Sequence, residues 1–145
     1  MYLLDTCVIS ETRAKKPDAA VINWLTRQAP ETLYISAISI GEIKNGICLL
    51  GETRKSRELT KWLIELEATF APRILSVNTM VAECWGEILA DCSRAGKPRS
   101  AVDALIAATA KVDHLVLVTR NERDMQGTGV KIFNPFSKPP RQPAS

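Results

Sequence analysis

The chain has 145 residues, enough for one domain with a substantial core and too few for two comfortable ones. Apolar residues make up 46% and charged residues 24%, an ordinary soluble composition, and no apolar run approaches the roughly 20 residues of a membrane span. The net charge of +3 is a mild hint of a polyanionic partner, and the start Met-Tyr-Leu-Leu-Asp lacks the pattern of a secretion signal, so a cytoplasmic location is expected.

Along the chain, Tyr2 to Asp5 is the first predicted strand, followed by Leu33 to Ile35, Arg73 to Val77, Leu115 to Thr119 and Val130 to Phe133. Val, Ile, Leu and Tyr dominate them without clean polar alternation, as in strands buried on both faces. Between them the apolar spacing predicts helices over Asp18 to Gln28, Ile38 to Leu50, Arg54 to Phe70, Asn78 to Ala95 and Ser100 to Val112, with Gly51 and Gly96 as stops. Strands alternating with helices imply crossover connections. The expected fold is therefore a three-layer α/β sandwich with a five-stranded, mainly parallel sheet. From Asn134 onward Pro135, Pro139, Pro140 and Pro143 point to extended or disordered chain. One domain is expected over 1–136, with a flexible Pro-rich tail at 137–145.

Cys7, Cys48, Cys84 and Cys92 show no CxxC spacing, and His114 is the single histidine. Cys84 and Cys92 would stand roughly 12 Å apart on one helix, too far for a disulfide. Reduced thiols are the default, and neither a zinc site nor a Cys-His pair has much material. Basic residues cluster at Arg13, Lys15 and Lys16, at Arg54, Lys55 and Arg57, and at Arg94, Lys97 and Arg99; taken one at a time these read as solvated loops and helix ends.

Four acids stand out. Asp5 ends an apolar run as the only charge in the first ten residues, and Asp103 is the only charge from Ser100 to Ala110. Burying an isolated carboxylate costs several kcal/mol or more unless it is neutralised, paired or bound to a cation. Glu42 and Asp124 complete the set. In an open parallel sheet, ligands gather beyond the carboxyl ends of the strands, and the predicted elements place all four acids on that rim. Helix capping is the competing account. Ser39 to Glu42 and Ser100 to Asp103 both fit the S-x-x-[DE] box, and Asn121 to Asp124 is a looser version. An all-oxygen site suits a hard cation such as Mg2+ or Mn2+, which can polarise a phosphodiester and help deprotonate a water. Thr6 and Thr119 lie at the same rim and could orient water, while Lys44, Arg99 and Arg120 are the bases nearest in sequence for steering a phosphate backbone.

The segments Leu3-Leu4-Asp5-Thr6-Cys7-Val8-Ile9-Ser10, Ser36 to Glu42, Val102 to Ala110, Val118-Thr119-Arg120-Asn121-Glu122-Arg123-Asp124 and Phe133-Asn134-Pro135-Phe136, in this order and spacing, resemble the PIN-domain ribonucleases of the VapC toxin type, in particular the FitB-like branch. The resemblance implies Mg2+- or Mn2+-dependent endonucleolytic cleavage of RNA by the toxin of a toxin–antitoxin pair. It also implies a homodimer, and inhibition by a VapB-type antitoxin that would bring operator DNA through its own domain. By position, Asp5 and Asp103 would be the principal metal ligands, with Glu42 completing the site. The fourth acidic position falls at either Asn121 or Asp124, where Met125 stands in place of the family's usual Phe. Two alternatives carry different expectations. A degenerate PIN module would serve as a protein or RNA scaffold. A phosphatase with Asp5 as nucleophile would need a second Asp two residues on, where this chain has Cys7.

Overall fold

In the computed structural model, which describes residues 1–137, five strands form one sheet. They are β1 (Tyr2–Leu4), β2 (Leu33–Ser36), β3 (Ile74–Leu75), β4 (Val116–Val118) and β5 (Ile132–Phe133), in the order β3-β2-β1-β4-β5. All four neighbouring pairs are parallel, so the expected α/β architecture holds with no antiparallel strand. The helices are α1 (Thr6–Glu11), α2 (Ala19–Arg27), α3 (Ala37–Leu49), α4 (Arg54–Phe70), α5 (Thr79–Arg94) and α6 (Ala101–Val112). Helix α1 was not expected from the sequence. Its Cys-Val-Ile reads equally well as extended chain, and the six-residue segment is too short to show a helical period.

Alternate side chains of the central strands leave the sheet on opposite faces and divide the core in two. Leu3 and Leu117 pack with Val81 and Ile88 of α5 and with Ala104, Ile106 and Ala107 of α6. Leu4 and Val118 pack on the other side with Val8 and Ile9 of α1, Val21 of α2, Ile47 of α3, and Leu63 and Leu66 of α4. Each fully buried Leu of this kind contributes about 1.5–3 kcal/mol. The buried face of α6 is rich in alanine, so α5 and α6 can approach closely.

Helix α6 ends with the Leu115 N–H donating to the Ala110 carbonyl at 2.8 Å and the His114 N–H to that of Lys111 at 3.2 Å. His114 takes the left-handed position of this cap at φ 56°, where glycine is the usual occupant.

The connectivity positions the site. From β1 the chain moves to β2 on one side and on to β3, then crosses to β4 on the other flank of β1. The direction of winding therefore reverses between β1 and β4, which leaves a crevice beyond their carboxyl ends. Leu4 and Val118 are register partners, and the next residue along each strand is Asp5 and Thr119.

The segment after β5 is held by side-chain contacts as far as Ser137. Phe136 packs against the second core cluster, its ring lies 4.0 Å from the Arg120 guanidinium, and the Asn134 side chain accepts the Phe136 N–H. The Ser137 hydroxyl and N–H both donate to Asp18, the residue that caps α2. These bonds hold the Asp18 carboxyl below its usual proton affinity, against a raising contribution from burial. The rest of the Pro-rich tail expected at 137–145, from residue 138 on, lies outside the described residues.

Candidate active site

Asp5 is 7% exposed and fully engaged. As N-cap of α1 it accepts the Thr6 N–H on Oδ1 at 2.8 Å, and the Thr119 hydroxyl donates to Oδ2 at 2.7 Å. The Cys7 thiol points at the same Oδ2 from 3.8 Å. Thr119, itself fully buried, is held in turn by the Asn121 N–H, which donates to its hydroxyl oxygen at 3.0 Å. That donation occupies the oxygen and leaves its proton for the carboxylate. Burial, reinforced by the Asp5 charge, pushes the Cys7 thiol up, so it is a packed neighbour and not a thiolate.

Glu42 projects from the second turn of α3 and accepts the Thr6 hydroxyl on Oε1 at 2.8 Å. Desolvation raises its proton affinity, Thr6 opposes this, and the charges of Asp5 and Asp103 raise it further. Its capping-box explanation fails. Ser36 caps α3 through the Ile38 N–H, while Ser39 is buried inside the helix with no partner for its hydroxyl among the described residues.

Asp103 stands in the first turn of α6, where the Ser100 hydroxyl accepts its N–H at 3.1 Å, so capping does operate here. Asp103 is half-buried at the rim. The fully enclosed residues of this apolar helix begin one position later, at Ala104. Desolvation raises its proton affinity; Ser100 lowers it, Asp124 and then Asp5 raise it, and Arg99 lowers it. Asp124 is exposed in a short 3-10 turn, Arg123–Met125, and Asn121 is half-buried beside Thr119. Glu42 thus feels the charges of Asp5 and Asp103, and Asp103 those of Asp124 and Asp5.

The three bases singled out from sequence separate in space. Arg99 sits near Asp103 and donates Nε–H to the Gln126 carbonyl at 3.1 Å. Lys44 is exposed on α3, two residues past Glu42. Arg120 is engaged elsewhere, pairing with Glu11 at 3.3 Å and stacking on Phe136. Sequence proximity to the acids concealed this tertiary commitment. Glu11, which carried no motif, is the residue sequence reasoning passed over.

Among the described residues the ion pairs are Arg54–Glu58, Arg94–Asp91 and Arg120–Glu11, so none neutralises Asp5, Glu42, Asp103 or Asp124. Nor, among those residues, do three Asp, Glu, His or Cys side chains converge tightly enough to enclose a metal as they stand. In kind, however, the donors fit a hard divalent cation. They are all oxygen, mutually repelling and without an ion-pair partner among the described residues, and a cation would relieve the raised proton affinities of Glu42 and Asp103.

Comparison with known proteins identifies the family of the fold. The PIN domain family model matches residues 2–129. Plasmid stability protein StbB of Pseudomonas syringae pv. tomato and toxin FitB of Neisseria gonorrhoeae are each 36% identical over 137 residues, covering 94% of this chain and 99% of the relative. VapC ribonuclease Y4jK of Sinorhizobium fredii is 33% identical over 138 residues, 94% of this chain and 98% of its own. Among solved structures, FitAcB from Neisseria gonorrhoeae superposes with a TM-score of 0.87 at 37% identity, over 93% of this chain and 98% of that one. FitAB bound to an IR36 DNA fragment gives the same TM-score at 35% identity, over 93% and 95% of the two chains. With its switch-point aspartate and a relationship that spans nearly its whole length, the chain belongs to the PIN-domain family, among the VapC-type toxins.

Proposed function

We propose that this chain is the toxin of a toxin–antitoxin pair and acts in the cytoplasm as a Mg2+- or Mn2+-dependent endoribonuclease. The observation that carries this reading is the buried, hydrogen-bonded Asp5 carboxylate, coupled to Glu42 and Asp103 with no ion pair to any of them among the described residues. Asp5, Glu42 and Asp103 would hold the cation, with Asn121 or Asp124 at the fourth position. The ion, when bound, supplies Lewis-acid polarisation of a phosphodiester and a lowered pKa for water.

The rest is the work of side chains. Thr119 and the Thr6 N–H fix both oxygens of Asp5, so this carboxylate has little freedom to lose when substrate arrives. The Thr6 hydroxyl orients Glu42 from the same turn and so couples the ends of β1 and β2. Arg99 lies beside Asp103, tempers its charge and would meet phosphate oxygens, while Lys44, exposed further along α3, would meet the backbone away from the acids.

A ribonuclease and a DNA-bound complex among the relatives support RNA as substrate and a VapB-type antitoxin as inhibitor. On this reading operator DNA is met only through the antitoxin, and the toxin itself pairs as a homodimer. A phosphatase built on Asp5 is disfavoured by Cys7, whose raised proton affinity makes it a poor acid two residues on.

Purified protein incubated with RNA should cleave it in Mg2+ or Mn2+ and stop in excess chelator. Asp5→Asn should slow cleavage at least about 100-fold. An equally active Asp5→Asn would remove that residue from the mechanism. A folded parent that binds RNA but never cuts it would favour the scaffold reading.

A further inference from the structure

Two of the three basic clusters, unremarkable one at a time, meet in the folded chain. Arg13, Ala14 and Lys15, just past the end of α1, face Arg54, Lys55 and Glu58 in the first turns of α4 across a groove of about 600 Å³. All six residues are exposed. Four of the five charged side chains are cationic, and the one acid, Glu58, is already paired with Arg54 at 3.2 Å. Arg13 is also braced, its guanidinium 5.6 Å from the centre of the Trp62 ring, which limits the freedom it would lose on binding.

The groove is close to the acids. Asp5 caps the start of α1 and Glu11 ends it, about 9 Å further on by helical rise, two residues before Arg13. A polyanion lying across the acidic rim can therefore continue into the groove within a few nucleotides.

We propose that this groove is the track for the phosphodiester backbone of single-stranded RNA on one side of the scissile bond. The inference rests on the ribonuclease reading and adds to it the surface that holds substrate. Cations from two separate elements, with both walls open to solvent, suit a continuous string of phosphates better than a single anion. The acids at the rim repel that same backbone, so attraction has to come from alongside them.

The test is binding of a labelled single-stranded RNA to the full chain in chelator, where nothing is cut, across a salt series. The triple variant Lys15→Ala/Arg54→Ala/Lys55→Ala removes three exposed charges. Its Kd should rise about tenfold or more at low salt, and the slope of log K against log salt should fall by about 2. A control of equal charge loss, Arg94→Ala/Lys111→Ala/Lys131→Ala, should bind nearly as the parent does. Lys15→Gln/Lys55→Gln serves if the triple variant loses its fold.

Unchanged affinity and slope in the groove variant would overturn the proposal, as would equal losses in groove variant and control. Undiminished RNA binding together with lost capture of a polyglutamate peptide would assign the groove to an acidic protein segment and overturn it too. If instead the parent binds RNA through these residues but never cleaves it with Mg2+ or Mn2+, the groove stands and the ribonuclease reading falls.

Discussion

Asp5 and Asp103 carry the same functional group on neighbouring parts of one rim, and the fold treats them in opposite ways. Asp5 is enclosed at a strand end, with a backbone N–H, a buried hydroxyl and a thiol arranged around its two oxygens. Asp103 projects half-buried from a first helical turn, and burial and two neighbouring acids make its charged form costly. One carboxylate is stabilised by the scaffold before any ligand arrives. The other waits for something to neutralise it, which is the signature of a site tuned for binding at the expense of stability.

The largest effect on that contrast should come from Thr119→Val, which keeps the shape and removes the donor to Asp5 Oδ2. Cleavage is expected to fall about 10–100-fold, as for loss of an orienting partner, and folding stability by about 1–3 kcal/mol. Thermal melts and single-turnover rates measure both. If neither changes, Asp5 does not need its cradle and the contrast dissolves.

Asp103→Asn tests the opposite member. With its proton affinity raised, folded Asp103 holds more protons than the unfolded chain between the ordinary aspartate range and its own higher value. Stability therefore falls as pH rises through that window and stays lower above it. The asparagine variant escapes this penalty. In chelator it should melt about a degree or two above the parent at neutral pH, and the advantage should vanish in acid below the ordinary aspartate range. A variant less stable than the parent at neutral pH would mean that Asp103 is already satisfied.

The smallest effect is expected from Thr6→Val. The hydroxyl lost there lowers the proton affinity of Glu42, so the acid limb of the pH–rate profile should move to higher pH. Because that bond is exposed, stability should stay within about 0.5 kcal/mol. An unmoved limb would take Glu42 out of the titrating set.

Much of this was legible from residue order. Five short Val-, Ile- and Leu-rich runs alternating with helical spacing lead directly to a parallel sheet, and two isolated acids in apolar segments mark the rim at its carboxyl ends. What escaped was tertiary. Asp5 reads as a candidate ligand, and nothing local reveals that it is also a helix cap, because the six residues after it look like more strand. Ser39 mimics a cap so well that Ser36, the true one, goes unnoticed. The partnerships of Arg120 with Glu11 and of Thr119 with Asp5 join residues 109 and 114 positions apart, beyond the reach of any spacing rule. The basic groove is the mirror case. Its residues were visible as two clusters, and only folding brings them face to face.

The bond between Thr119 and Asp5 has a consequence for the order of events during synthesis. β1 is made before the other four strands and becomes the central one in the finished sheet, yet its flanking strand β4 is made more than a hundred residues later. A product stopped between Asp103 and β4 would contain Asp5, Glu42 and Asp103 without the hydroxyl that seats the first of them or the neighbour that closes its flank. On the ribonuclease reading such fragments should be inert toward RNA, so that activity would switch on only once β4 has been made, when an inhibitor made in advance is best placed to meet it.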